Sequence, residues 1–303
     1  MAWPNPFRVQ DKNTRTCWNY TFQWTEDHLS PEQMDPLKYS YDSLGEQALN
    51  KINTISQPPG LSSNSKDITY LDMQNGSTSS QNMEPKRDLY ALLREYADTD
   101  KVLGQLWTEV NTVPLWVCWE QIARGQECFY RYGGPALTGL AFQSLLGGMG
   151  ATRVVEVLSR TGGFSTRVAR KRLFETTQHI LQCTRSLQSI QPGGDGHASS
   201  IRVRLLHAAV RQRILKLAKQ RPEYYNVEKY GIPINDLDCI ATIGTFSATL
   251  IWLSLPRQGI WMRYGQEIIP LIHNLFLTTR QGLEASRGWA FFLLEVWLIL
   301  DLN

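Results

Sequence analysis

"SSIRVRLLHAAVRQRILKLAKQ", residues 199–220, is the stretch on which the fold turns. It opens on serines able to cap a helix and runs to Pro222 without a breaker. A helix advances by about 100° per residue, so with His207 as zero, Val203, Leu206, Val210, Ile214 and Leu217 fill an arc from about −20° to −100°. Arg204 and Arg211 fall near +60° and +40° on the other side, about one turn either way along the axis. Arg202 and Arg213 point well away, toward solvent. His207 therefore sits at the seam between an apolar face and a two-arginine stripe.

The same pattern extends backward along the chain. "TRVARKRLFETTQHILQCTRSLQSI" (166–190) reads as one long helix capped by Ser165 and ended at Pro192-Gly193-Gly194. Its Arg172, Thr176, His179 and Cys183 stand at i, i+4, i+7 and i+11, a line about 60° wide. "ATRVVEVLSRTGG" (151–163) is a short helix stopped by Gly162-Gly163, and "PALTGLAFQSLLGGMG" (135–150) is an apolar helix ending in glycines. "RDLYALLREYADTDKVLGQLWTEVN" (87–111) is helical, and Ser30-Pro31-Glu32 carries a helix-start signal. No alternating strand pattern of convincing length and no internal repeat is visible. The reading is all-α, with an N-terminal helical segment (1–55), a linker rich in Ser, Asn, Gly and Pro (56–86), a core (87–265) and a divergent tail (266–303).

Composition sets the limits on function. With 303 residues, 42% of them hydrophobic, the chain has the material for a sizeable core and is not disordered in bulk. The net charge of +3 hides an asymmetry: residues 1–100 hold 9 Lys/Arg against 14 Asp/Glu, a net of −5, whereas 151–221 hold 14 against 3, a net of +11. A block that basic needs anions, either acids from elsewhere in the chain or an anionic ligand, because an unpaired buried guanidinium costs several kcal/mol. Nucleic acid is disfavoured, since phosphate binding wants exposed lysines and aromatics while these arginines flank an oily face. The five cysteines are scattered, with no CxxC pair, which fits reduced thiols in an intracellular protein. The N-terminus lacks the apolar core of a signal peptide, and the longest oily run, "WAFFLLEVWLIL" (289–300), is too short to span a membrane.

Four stretches carry a resemblance: "GGPALTGLAFQSLLGGMGATRVVEVLSRTGGF", "RLFETTQHIL", "RVRLLHAAVR" and "GIPINDLDCIATIGTFSATLIWLSLPRQGI". From about residue 18 to 263, linker apart, the chain resembles the rubber-oxygenase (latex-clearing protein) and ER-bound oxygenase family in its fungal type. The resemblance implies an all-α, globin-like core around haem b, using O₂ to cleave carbon–carbon double bonds of isoprenoid chains. It implies His207 as the proximal iron ligand, Arg204 and Arg211 as its flanking arginines, and Arg172 and Thr176 as residues needed to form the haem site. The propionates of a haem would meet the two arginines as its iron met the imidazole. Glu156 lies where latex-clearing proteins place an acidic residue proposed as the catalytic base; read from its neighbours, it is equally a surface ion-pair partner of Arg153 or Arg160.

Glu175 stands where those proteins have a lysine able to cap the distal iron, so the resemblance does not imply rubber itself as substrate. His179 lies beside Thr176 and Cys183 and is assigned a structural role, the flanking arginines favouring His207 as the ligand. The family pattern continues with further helices after "PRQGI", whereas this sequence departs from it after about Arg263, which reads as a truncated C-terminus. Expected partners are O₂ and a hydrophobic isoprenoid-like molecule, in the cytoplasm or in peripheral contact with the ER membrane. The alternative expectation is a catalytically inactive haem-binding or interaction protein.

Overall fold

A computed structural model describes residues 11–17, 20–24, 28–57, 87–114, 117, 119–142, 150–161, 166–246 and 249–260. Helices dominate it, as the hydrophobic periodicity requires. The exception is a short antiparallel hairpin, β1 (Thr14–Cys17) and β2 (Tyr20–Gln23), paired from Thr14–Gln23 to Cys17–Tyr20. Four residues a side is too short for alternation to be recognised in sequence, and the described residues remain consistent with the all-α class.

Ser30 does cap a helix. It forms a capping box with Gln33, with Pro31 in the first turn, but α1 (Pro31–Met34) lasts one turn before Pro36 enters a 3₁₀ turn at Asp35–Lys38. α2 (Ser43–Ile55) starts afresh from Asp42, whose carboxylate accepts from the Gly45 N–H at 3.0 Å. Asp88 caps α3 (Leu89–Tyr96), and Asp100 caps α4 (Lys101–Asn111), dividing the expected 87–111 stretch in two. α5 (Trp119–Gly139) kinks at Tyr132, one turn before Pro135, because the proline ring displaces the carbonyl four residues back. The apolar segment from Pro135 is thus the far arm of a kinked helix. Gly147 and Gly148 near its end, the Gly162-Gly163 stop and Ser165 lie outside the described residues.

α6 (Thr152–Arg160) leads to α7 (Thr166–Thr184), which ends earlier than its sequence suggests. Ser186 opens a separate turn, α8 (Leu187–Ile190), through a reciprocal box with Ser189. α9 (Asp195–Gln220) starts four residues before Ser199, so Ser199 and Ser200 are helix-interior and cap nothing. The early start has a steric cause. A Cβ on Gly194 would meet Gln188 O at 2.2 Å, and one on Gly196 would meet Cys183 Cα at 2.9 Å, so glycines let α9 begin pressed against α7 and α8. α10 (Val227–Tyr230), α11 (Asp236–Phe246), a π-helical turn (Leu250–Ser254) and α12 (Leu255–Arg257) complete the described chain. The 266–303 tail and nearly all of the linker fall outside it.

α9 is the central element. One side joins Ala48, Leu49 and Ile52 of α2, Leu93 of α3 and Leu103, Leu106 and Val110 of α4 around Ile201, Leu205 and Ala208. Its other side carries Val210 and Ile214, buried with Tyr225 against Val157. The N-terminal helix α2 therefore belongs to the same core as α9. No helix among the described residues is long and apolar enough to cross a membrane.

Candidate functional site

The arginine stripe on α9 faces α2, and acids of the chain meet it there. Arg204 is 8% exposed and grips Asp42 with both arms, Nε to Oδ2 at 2.7 Å and Nη2 to Oδ1 at 2.8 Å, while Nη1 lies 2.8 Å from Glu109. Burial alone would raise the Asp42 pKa, but the Arg204 hydrogen bonds and charge, the Gly45 N–H and the charge of Arg211 outweigh it and hold the carboxyl below its ordinary range. Arg211, 2% exposed, donates to Pro233 O at 3.2 Å and Ile234 O at 2.9 Å, stacks over Tyr41 at 4.6 Å and lies 3.6 Å from Glu46. It thereby pins Ile234, a β-branched residue held at φ +56°, where side chains crowd the backbone. The anions that the +11 block calls for thus include Asp42, Glu46 and Glu109. Arg204 and Arg211, the arginines expected to flank a haem site, are thus held largely by protein groups, with Arg204 Nη1 buried and without a hydrogen-bond partner among the described residues.

His207 presents a different environment. Arg211 and Ile214, which flank it around the helix, are buried, yet the His207 ring is water-accessible. No hydrogen-bond partner holds it among the described residues. Protein nevertheless surrounds it: burial first, then the positive charge of Arg211 and the neighbouring His179, push its pKa down to about 4, with Asp42 opposing. The residue is accessible to water, yet neighbouring protein leaves the ring poorly hydrated when charged. At neutral pH it is an imidazole with an uncommitted lone pair.

The α7 line expected to face the same region is present along its length. His179 Nδ1 hydrogen-bonds Ser199 Oγ at 2.9 Å, and Cys183 Sγ lies 3.8 Å from both ring nitrogens. Burial pushes His179 down to about 4 and the Cys183 thiol up to about 12, so both are neutral at pH 7. Thr176 is exposed. Arg172 donates through Nη2 to Thr161 Oγ1 at 2.8 Å and meets no carboxylate among the described residues. Glu156 pairs with Arg160 at 2.8 Å across one helical turn, while Arg153 goes to Asp238, so the local ion pair is formed. Glu175 is exposed, 3.8 Å from Lys171.

Among the described residues no three His, Cys, Asp or Glu side chains converge as metal ligands. An imidazole with a free lone pair is the donor that a haem iron takes from protein. The donor chemistry at His207 fits such a group. Sequence reasoning missed the Asp42–Arg204–Glu109 network, for which the opposite charges of the two regions were the available signal.

Residues 130–266 match the family model described as ER-bound oxygenase mpaB/B'/Rubber oxygenase, catalytic domain. The match supports that family and suggests an oxygenase. It spans less than half of the chain and contains Glu156, Arg172, Thr176, Arg204, His207 and Arg211. Asp42, Glu46 and Glu109, the acids that meet the arginines, lie outside the matched segment. Comparison with curated proteins and with solved structures found no match.

Proposed function

We propose that this chain is a haem-b-dependent oxygenase of globin-like helical core, using O₂ to cleave a carbon–carbon double bond in an isoprenoid or other hydrophobic olefin. The carrying observation is His207, a neutral, uncommitted, water-accessible imidazole on a segment that matches an oxygenase family. His207 would hold the iron, and Thr176 and Arg172, whose guanidinium meets no carboxylate among the described residues, would hold the cofactor from α7. Bound there, haem would supply the iron chemistry that activates O₂. Burial, reinforced by the flanking Arg211 charge, keeps the imidazole unprotonated and able to donate its lone pair. Glu156, which pairs with Arg160 across one helical turn, would accept a proton from the substrate. The oily substrate partitions into membranes, which places the protein in the cytoplasm or against the ER surface.

Reconstitution of the purified chain with haemin tests this. A Soret band, O₂ uptake and carbonyl products from a prenylated olefin are expected. Absence of a Soret band overturns the reading. A Soret band without turnover assigns the chain as a catalytically inactive haem-binding protein instead.

A further inference from the structure

α7 presents two faces of opposite character. Arg172, Thr176, His179 and Cys183 share one side, and Leu173, Phe174 and Leu181 lie about 100° to 180° around the axis from that line. These three side chains are 43%, 63% and 41% exposed and form an apolar ridge along one helix. Single exposed leucines are ordinary, but Phe174 and Leu181 aligned on one helix face, with Leu173 at its edge, mark an interaction surface. Charge identifies the partner. Arg170 stacks over the Phe174 ring at 5.6 Å and has no carboxylate among the described residues, and Lys171 is only 3.8 Å from Glu175. Elsewhere in the basic block, Arg153, Arg160, Arg185 and Arg202 are paired with acids. A twofold contact with a second copy would set the same cations against each other, whereas a phosphate-rich surface would neutralise them.

We propose that the outer face of α7 docks on an anionic lipid surface, with Leu173, Phe174 and Leu181 entering the acyl boundary and Arg170 and Lys171 meeting headgroup phosphates. The biological purpose of this docking rests on the reading above, that the substrate partitions into membranes. Docking through this face sets the Arg172–His179 line about one helix diameter, ~10 Å, from the lipid, a short path for an oily molecule.

Vesicle flotation of the full chain tests it, with phosphatidylcholine vesicles containing or lacking phosphatidylserine. The wild-type chain floats with the anionic vesicles. The double variant Phe174→Glu/Leu181→Glu loses at least about tenfold in partitioning, since each replaced side chain was to be buried in lipid. Lys216→Glu, an exposed cation on α9, stays near wild type. If the glutamates perturb folding by circular dichroism, Arg170→Glu/Lys171→Glu provides the same test with the apolar ridge intact. Failure of the wild-type chain to float, equal flotation with neutral vesicles, or unchanged flotation of the ridge variants overturns the proposal. A drop in oligomeric size for the double variant also overturns it, by giving the face to a second copy. O₂ uptake with detergent-dispersed olefin reports on the oxygenase reading alone, so the two failures are distinguishable.

Discussion

Replacing Asp42 with alanine removes two things at once: the N-cap of α2 and the main partner of a buried arginine. The matched control lies in the same molecule. Asp88 caps α3 and grips Arg202 with both oxygens at 2.9 and 2.7 Å, yet its side chain and that of Arg202 are 38% and 46% exposed, against 14% and 8% for Asp42 and Arg204. Loss of one partner of a buried pair costs about 3–5 kcal/mol, and the Glu109 contact that remains on Arg204 places Asp42→Ala near ~3–4 kcal/mol with its cap included. Asp88→Ala loses a similar cap but only an exposed pair, for a total of about 1–2 kcal/mol. The difference, about 2 kcal/mol, is roughly thirtyfold in the unfolding equilibrium.

Urea unfolding followed by helical circular dichroism at pH 7 measures both variants. The pH dependence has a definite sign. Asp42 has a lowered folded pKa, so its contribution is fully present above the unfolded carboxylate value of about 4 and is lost as pH falls through the folded one. The gap between the variants closes on acidification. Equal destabilisation by the two substitutions would refute the reasoning, because it would mean that burial adds nothing to the Arg204 pair.

Other expectations concern the histidines and the helix contacts. His207→Ala abolishes haem binding in a haemin titration, whereas His179→Ala leaves a five-coordinate spectrum; the reverse pattern exchanges their roles. His179 titrates at about 4 when folded and about 6.5 otherwise, so folding stability falls as pH drops between those values; His179→Gln flattens that slope in pH-resolved denaturation, and an unchanged slope removes the buried-neutral assignment. Gly196→Ala places a Cβ 2.9 Å from Cys183 Cα and 2.9 Å from Gln182 O, backbone atoms that cannot swing away, and costs about 1–3 kcal/mol by thermal melting. A melting temperature equal to wild type would show that α9 and α7 can part at no cost.

The helices, and which face of α7 carries the polar line, were legible because period and capping act within a few residues. Ser30 and its capping box are one instance. Starts and stops governed by distant contacts were not. The early start of α9 depends on glycines pressed against α7 and α8, and α7 ends at a serine box that looks like more helix in sequence. The hairpin escaped because four-residue strands carry too little alternation. The arginines show the same limit most clearly. Their position beside His207 was readable, but their acidic partners lie more than ninety residues away in sequence, at the start of α2 and on α4. Only the opposite net charges of the two regions pointed toward them.

That pairing bears on why His207 is left free. A buried arginine needs a carboxylate or several carbonyls, and Arg204 and Arg211 find both on the side of α9 that faces α2 and the 233–234 turn. Satisfied there, they hold α9 rigidly, and Arg211 still lends its positive charge to the adjacent imidazole. His179, on the neighbouring helix, spends a ring nitrogen on Ser199. His207 has the same depressed basicity but no such partner among the described residues, so its lone pair stays available at pH 7. The two arginines thus fix the helix that carries His207, and the Arg211 charge adds to burial in keeping a proton off the imidazole. On this account Arg211→Met raises the His207 pKa, read as a shift of its imidazole NMR titration in the haem-free chain. A titration unchanged by Arg211→Met would refute the reasoning, by showing that the Arg211 charge does not reach the imidazole.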